Sequence, residues 1–209
     1  DERGACLFSD CIFANNSALG GIDSQQRRIP ANGGAIAGIK STLLFIRSSF
    51  LDNTCISATH SPSRGGAIFA QDCSFKTENN AMFLGNSADE GGALYVFTSR
   101  ISEEWTTTIH DSIFINNTAQ QHGGAIFFSG DVYMIYQTTN LQFISNRAHL
   151  GGAIFYSDLV WDEINTLELN YSFENNHALA GGVIYVDSSH VEANRHTIEK
   201  LVTDAGSTN

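Results

Sequence analysis

Proline is nearly missing from this chain, with two residues in 209. Lysine and arginine together number 11 against 22 acidic residues, for a formal net charge of −11. A surface weighted this way repels phosphate backbones, so no nucleic acid is expected as a partner. No apolar run approaches the roughly 18 residues that a membrane-spanning helix needs, so no transmembrane segment is expected. The chain has neither an initiating methionine nor a signal peptide; it starts Asp1-Glu2-Arg3-Gly4 and reads as a segment of a longer or processed polypeptide. Cysteine is limited to Cys6, Cys11, Cys55 and Cys73. All four precede residue 74, so they make no disulfide framework over the whole chain.

What the chain does have is phenylalanine (14), glycine (19) and a 42% hydrophobic content, which is enough for a core. Two motifs alternate along its length. One reads FxxN, at Phe13 to Asn16, Phe50 to Asn53, Phe83 to Asn86, Phe114 to Asn117, Phe143 to Asn146 and Phe173 to Asn176. The other reads GGA[IL], opening at Gly33, Gly65, Gly91, Gly123, Gly151 and, with valine in place of alanine, Gly181. Successive FxxN motifs start 37, 33, 31, 29 and 30 residues apart, and successive glycine pairs 32, 26, 32, 28 and 30. Segments such as Ala125-Ile126-Phe127-Phe128 are short, branched and aromatic, which marks strands bounded by turns. Short strands recurring every ~30 residues without helical connectors predict coils stacked into a solenoid.

The expected fold is therefore all-β: a right-handed, single-stranded parallel β-helix of about six coils over residues 1–187. The polar tail 188–209 follows as a cap or a linker. Equivalent positions of adjacent coils sit about 4.8 Å apart, so each Phe stacks on the next and fills the interior with a column of rings. The Asn of FxxN turns a corner, where it tolerates left-handed backbone and hydrogen-bonds to main chain across coils. Two residues later comes a small side chain, at Ala18, Cys55, Ala88, Ala119, Ala148 and Ala178, for a tight interior slot. Gly-Gly makes a second corner. Inserts of variable length occupy 21–32, 54–64 and 98–110, and such loops are where a solenoid carries binding function.

The alternation of these twelve motif copies, from Cys11 to Asp187, resembles the repeats of chlamydial polymorphic membrane proteins and related Pmp-like proteins of bacteria and protists. The resemblance implies a β-helical extracellular stalk of the adhesin or autotransporter-passenger kind. The chain departs from the chlamydial proteins in its long inserts, and it holds no secretion signal or outer-membrane barrel segment.

No catalytic site is expected. Polysaccharide hydrolysis needs two converging carboxylates, whereas Asp72, Asp131, Asp158 and Asp187 fall six to eight residues after the first glycine of a pair, as a loose stripe down one corner. They read as solvated turn acids, with calcium the one ion such oxygen ligands suit and no other cofactor implied. His122, His149 and His177 lie at different offsets from the preceding Asn, so they form no metal column. Cys55 fills the small slot, as a buried thiol or in a local bridge; Cys6–Cys11 and Cys55–Cys73 are the pairs expected under oxidation. Asn15, Asn116 and Asn170 carry N-x-S/T sequons. An aromatic column, Phe69, Tyr95, Phe127, Phe155 and Tyr185, has parity opposite to the inward Ile. It either offers an exposed ladder for sugars or a partner protein, or packs beneath the inserts.

Three functional classes follow. The first is a non-catalytic structural or adhesive element of a cell-surface or extracellular protein, contacting protein or glycan through its inserts (which include Trp105 and Trp161) and strand faces. The second is a filament subunit stacking on copies of itself end to end. The third is a carbohydrate-binding or carbohydrate-active β-helix.

Overall fold

The phenylalanines of FxxN form one column. In the computed structural model, which describes residues 4–57, 61–99, 105–130, 137–157 and 171–187, the rings of Phe13, Phe50, Phe83, Phe114, Phe143 and Phe173 follow one another at 4.9, 4.8, 4.7, 5.1 and 5.2 Å. Those separations match the spacing between hydrogen-bonded strands, so each ring rides on its own strand and stays in offset contact with the rings above and below. The four central rings are fully buried.

Four parallel sheets surround this column. The first holds Ala5–Ser9, Thr42–Ile46, Ser74–Glu78, Thr107–His110 and Gln137–Thr139. The second carries the phenylalanines, on Ile12–Ala14, Ser49–Leu51, Met82–Leu84, Ile113–Ile115, Leu141–Ile144 and Tyr171–Glu174. The third is Ser17–Leu19, Thr54–Ile56, Ser87–Glu90 and Thr118–His122. The fourth follows the glycine pairs: Ile36–Ile39, Ile68–Gln71, Leu94–Thr98, Ile126–Gly130, Ile154–Ser157 and Ile184–Asp187.

The chain visits the sheets in that order, so the fold is a parallel β-solenoid, and no helix occurs among the described residues. The coil count differs from the expected six. Four turns carry strands on all four faces. In the next two the third face narrows to isolated bridges through Arg147, Leu150, His177 and Ala180. The insert at 21–32 forms a two-stranded antiparallel hairpin, Gly21–Ile22 with Arg28–Ile29. Asp23 ties its turn, accepting from the backbone N–H of Gln25 and Arg27 and from the Arg27 guanidinium at 2.7 Å. The insert expected at 98–110 contains a first-sheet strand, Thr107–His110. The tail 188–209 lies outside the described residues.

The Asn of FxxN does more than turn a corner. Nδ2 of Asn53 donates to Oδ1 of Asn86 in the next coil at 3.0 Å and to the Phe13 carbonyl of the previous coil at 2.9 Å. Its own Oδ1 accepts from the backbone N–H and Nδ2 of Asn16. The pattern repeats through Asn86, Asn117 and Asn146 to Asn176. Asn53, Asn86, Asn117 and Asn146 are completely buried with every amide hydrogen engaged, which is the condition for a polar column to be stable inside a core.

The left-handed backbone expected at this Asn belongs instead to the residue before it. Asn15, Asp52, Gly85, Asn116, Ser145 and Asn175 have φ between 52° and 69°. That division frees the ladder Asn to point inward.

The two glycines of each pair serve different ends. The first takes positive φ, from 59° to 66° across the six pairs. The second lets two backbones meet: a Cβ on Gly92 would lie 2.1 Å from the Gly124 carbonyl and within 2.8 Å of Thr118 backbone atoms.

Candidate binding face

The third sheet alternates a small inward residue with larger outward ones, polar in most coils and apolar at Leu19, Ile56 and Leu179. Ala18, Cys55, Ala88, Ala119, Ala148 and Ala178 point in, and all but the two terminal residues are buried. Cys55 and Ala88 pack with Ala31 in a cluster apart from the main core. The slot is small because the backbone of the second glycine presses on this sheet: a Cβ on Gly34 would lie 2.7 Å from the Thr54 carbonyl oxygen.

Outward, the column that begins at Ser17 continues through Thr54, Ser87, Thr118, Arg147 and His177. Two hollows share this face and meet at Thr118 and Gln120. One is bounded by Ser57, Ser61, Pro62, Ser63, Asp89 and Gln121. The other is bounded by Arg147, His149, His177 and Leu179. Together they make a shallow groove of mixed polar and apolar lining along the solenoid axis.

Asp89 fixes one wall of it. Its carboxylate accepts from the Ser63 N–H at 2.8 Å and the Ser63 hydroxyl at 2.9 Å, while the Asp89 N–H donates back to that hydroxyl. A second ordered column lies at the corner before the glycines. There Arg64 meets Glu90 at 3.2 Å, and Glu90 lies 3.6 Å from His122 Nδ1. The Arg64 guanidinium also sits 5.2 Å over the Tyr95 ring.

The aromatic column has the outward parity expected of it but is not an exposed ladder. Phe69, Tyr95, Phe127 and Phe155 are each no more than 5% exposed, and Tyr185 is half-buried. The rings stack at 5.5, 4.7, 5.0 and 5.3 Å, with Phe97, Leu150 and the His122 ring packed against them. Strand parity tells which way a side chain leaves the sheet; it does not tell what covers it. Burial pushes the Tyr95 phenol up to about 12.

Of the acidic stripe, the two described members do not share a column. Asp187 aligns with Ser157, Ser129, Phe97 and Gln71, one residue out of register with Asp72. The Asp72 carboxylate is taken by the Ser99 N–H and hydroxyl at 2.7–3.0 Å. Asp131, Asp158, Asn170 and Trp161 lie outside the described residues. His122, His149 and His177 fall in separate columns, and the described residues hold no group of three metal-ligating side chains.

The four cysteines are unbridged thiols in this structure, and the Cys55 and Cys73 expected to pair under oxidation lie in separate clusters. Cys55 belongs to the small-residue cluster. Cys73 lies in the main core, donating to the Gln71 carbonyl and 3.4 Å from the Ser41 hydroxyl. The Cys11 thiol turns to the Ser9 carbonyl, and Cys6 is exposed. Burial raises the Cys55 thiol to about 11. With an aromatic-disulfide reagent at neutral pH, Cys6 and Cys11 are therefore expected to react in the folded chain. Cys55 and Cys73 should react only after denaturant; four fast thiols in the native state would contradict their burial.

The fold and its columns define a repeat solenoid. The profile of the Chlamydia polymorphic membrane protein repeat matches residues 10–39 and 111–129. The chain is also similar to metabotropic glutamate receptor-like protein P of Dictyostelium discoideum, at 30% identity over 187 aligned residues covering 75% of this chain. It spans only 12% of that relative's length. No solved structure matches it. The Pmp-like repeat and the solenoid together fit a surface-type β-helix protein.

Sequence reasoning missed the groove residues Asp89, Gln120, Gln121 and Arg147. The available signal was negative: they stand where the repeat stops repeating.

Proposed function

We propose that this solenoid is a rigid, non-catalytic element of a cell-surface or extracellular protein, and that it contacts a protein or glycan through its third face. One observation carries this reading. The Phe and Asn columns of FxxN keep one residue type from coil to coil, whereas the outward positions of the third face change at every coil. Beside the column already described, the one from Leu19 runs through Ile56, with Asp89, Gln120, His149 and Leu179 at the equivalent positions after each FxxN. A repeat held constant inside and varied on one face suits recognition by that face. The printed name of the Dictyostelium relative, a receptor-like protein, supports a surface setting. Aromatic burial counts against sugar stacking on the fourth sheet, because sugars need open ring faces.

Beads coated with the chain are expected to attach to cells of the source organism. Arg147→Glu or Gln121→Lys in the groove should reduce attachment severalfold, and Lys76→Glu on the first sheet should not. Equal attachment by all three variants would remove the third face from the reading.

A further inference from the structure

We propose that Asn15 and Asn116 are N-glycosylation sites, and that their glycans stand on one edge of the solenoid beside the groove. The proposal rests on the extracellular reading given above. The sequence offers many asparagines at the corner between the second and third sheets, and the structure sorts them. The ladder asparagines are turned inward with both amide hydrogens engaged, so they cannot carry a substituent. The residue before each ladder Asn is the left-handed corner, whose side chain leaves the coil. Asn15 and Asn116 hold that corner at φ 57° and 53°, both exposed.

Neither side-chain amide is used in a hydrogen bond among the described residues. The sequon hydroxyls Ser17 and Thr118 are exposed too. The motif is therefore presented with nothing to unmake: a glycan on Nδ2 costs the fold no contact. The two sites share one corner column, with Asp52 and Gly85 in the coils between, so they stand three coils apart, about 14 Å. Thr118 lines both hollows, which places the Asn116 glycan at the rim of the groove.

The reaction is transfer from a lipid pyrophosphate-linked oligosaccharide. The amide Nδ2 forms a bond to sugar C1, the bond from C1 to the pyrophosphate oxygen breaks, the lipid pyrophosphate leaves and the amide nitrogen loses one proton.

The test is to direct the 209-residue chain through a eukaryotic secretory pathway with a heterologous signal peptide, then release glycans with an amidase that converts each occupied Asn to Asp. Peptides spanning Asn15 and Asn116 should show that conversion, in secreted and retained material alike, because transfer precedes folding. Asn116→Asp and Thr118→Ala should each remove one glycan, and Asp52→Asn, which creates a sequon in the same corner slot, should add one. Bare Asn15 and Asn116 in either material, or no gain from Asp52→Asn, would overturn the proposal. Labelling intact source cells with an impermeant amine reagent separates this from the underlying reading: glycan on the secreted chain with no label on the natural protein would reject the surface setting and leave acceptor competence standing.

Discussion

Replacing Asn86 with leucine is expected to destabilise the solenoid by about 3–5 kcal/mol. The amide sits at zero exposure in the middle of the stack. Without it the Asn53 N–H and Nδ2 lose their common acceptor, and the Phe50 carbonyl loses its donor. Each buried group left unsatisfied costs roughly 1–3 kcal/mol, and leucine gives none of them a partner. Denaturant titration followed by circular dichroism reads the loss directly; a midpoint equal to the parent's would mean that the ladder contributes only volume.

Asn86→Asp refines the same test. Its carboxylate still accepts from Asn53 but turns an oxygen towards two other acceptors, the Phe50 carbonyl and Asn117 Oδ1. Burial and those acceptors raise its folded pKa. The neutral acid is then the form the fold tolerates. The destabilisation should therefore be smallest at low pH and grow as pH rises from the ordinary carboxylate value of about 4 through the raised folded value.

The second large effect is expected at the glycine corner. Gly92→Ala would push a methyl carbon to 2.1 Å from the Gly124 carbonyl and 2.7–2.8 Å from Thr118 backbone atoms. Both obstacles are main chain, Gly124 in the glycine corner of the next coil and Thr118 in the strand that leads to it, and neither can turn aside as a side-chain tip could. The coils must separate, which breaks both the ladder and the sheet hydrogen bonds at that level. A loss of more than about 4 kcal/mol, or failure to fold, is expected. Gly182→Ala is the matched control: among the described residues an added Cβ there meets nothing within 4 Å, so its change should stay within about 1 kcal/mol. Thermal unfolding of the pair decides the matter, and equal melting temperatures would show the corner to be plastic.

These two positions also mark what could be read from the sequence. The second and fourth sheets were legible because one residue type fills one slot in every coil: Phe on Phe, Ile or Leu on Ile or Leu. The first sheet was not, and its strand Thr107–His110 falls inside a stretch whose variable length reads as an insert. Its inward positions run Cys6, Leu43, Phe75, Thr107 in one column and Phe8, Phe45, Thr77, Ile109 in the other. That side of the core is filled by neighbouring coils jointly, so volume is kept while identity drifts, and a search for identical residues passes over it. The alternation within Thr42-Leu43-Leu44-Phe45-Ile46 was the remaining clue.

The groove was hidden for a different reason. Its residues are defined by a face, and only the closed coil puts Asp89, Gln120 and Arg147 on the same one. Two of the four corners were equally silent. Arg47 takes φ 47°, unusual for its type, and is held by Asp10 of the neighbouring coil through hydrogen bonds of 2.7 and 2.8 Å, which draw the Asp10 carboxyl down to about 2. Such a corner is chosen by its neighbour in space, thirty-seven residues away.

Each inner ladder amide, from Asn53 to Asn146, touches three coils at once, its own and one on either side. Pulling on the rod along its axis therefore cannot peel one coil as an independent event. To free any inner coil, the clasp of the coil before it and the clasp of the coil after it must open in the same step. Tension should be carried without yielding until a terminal coil gives way, and rupture should then travel inward from that end. A tether built on this principle transmits force rather than absorbing it.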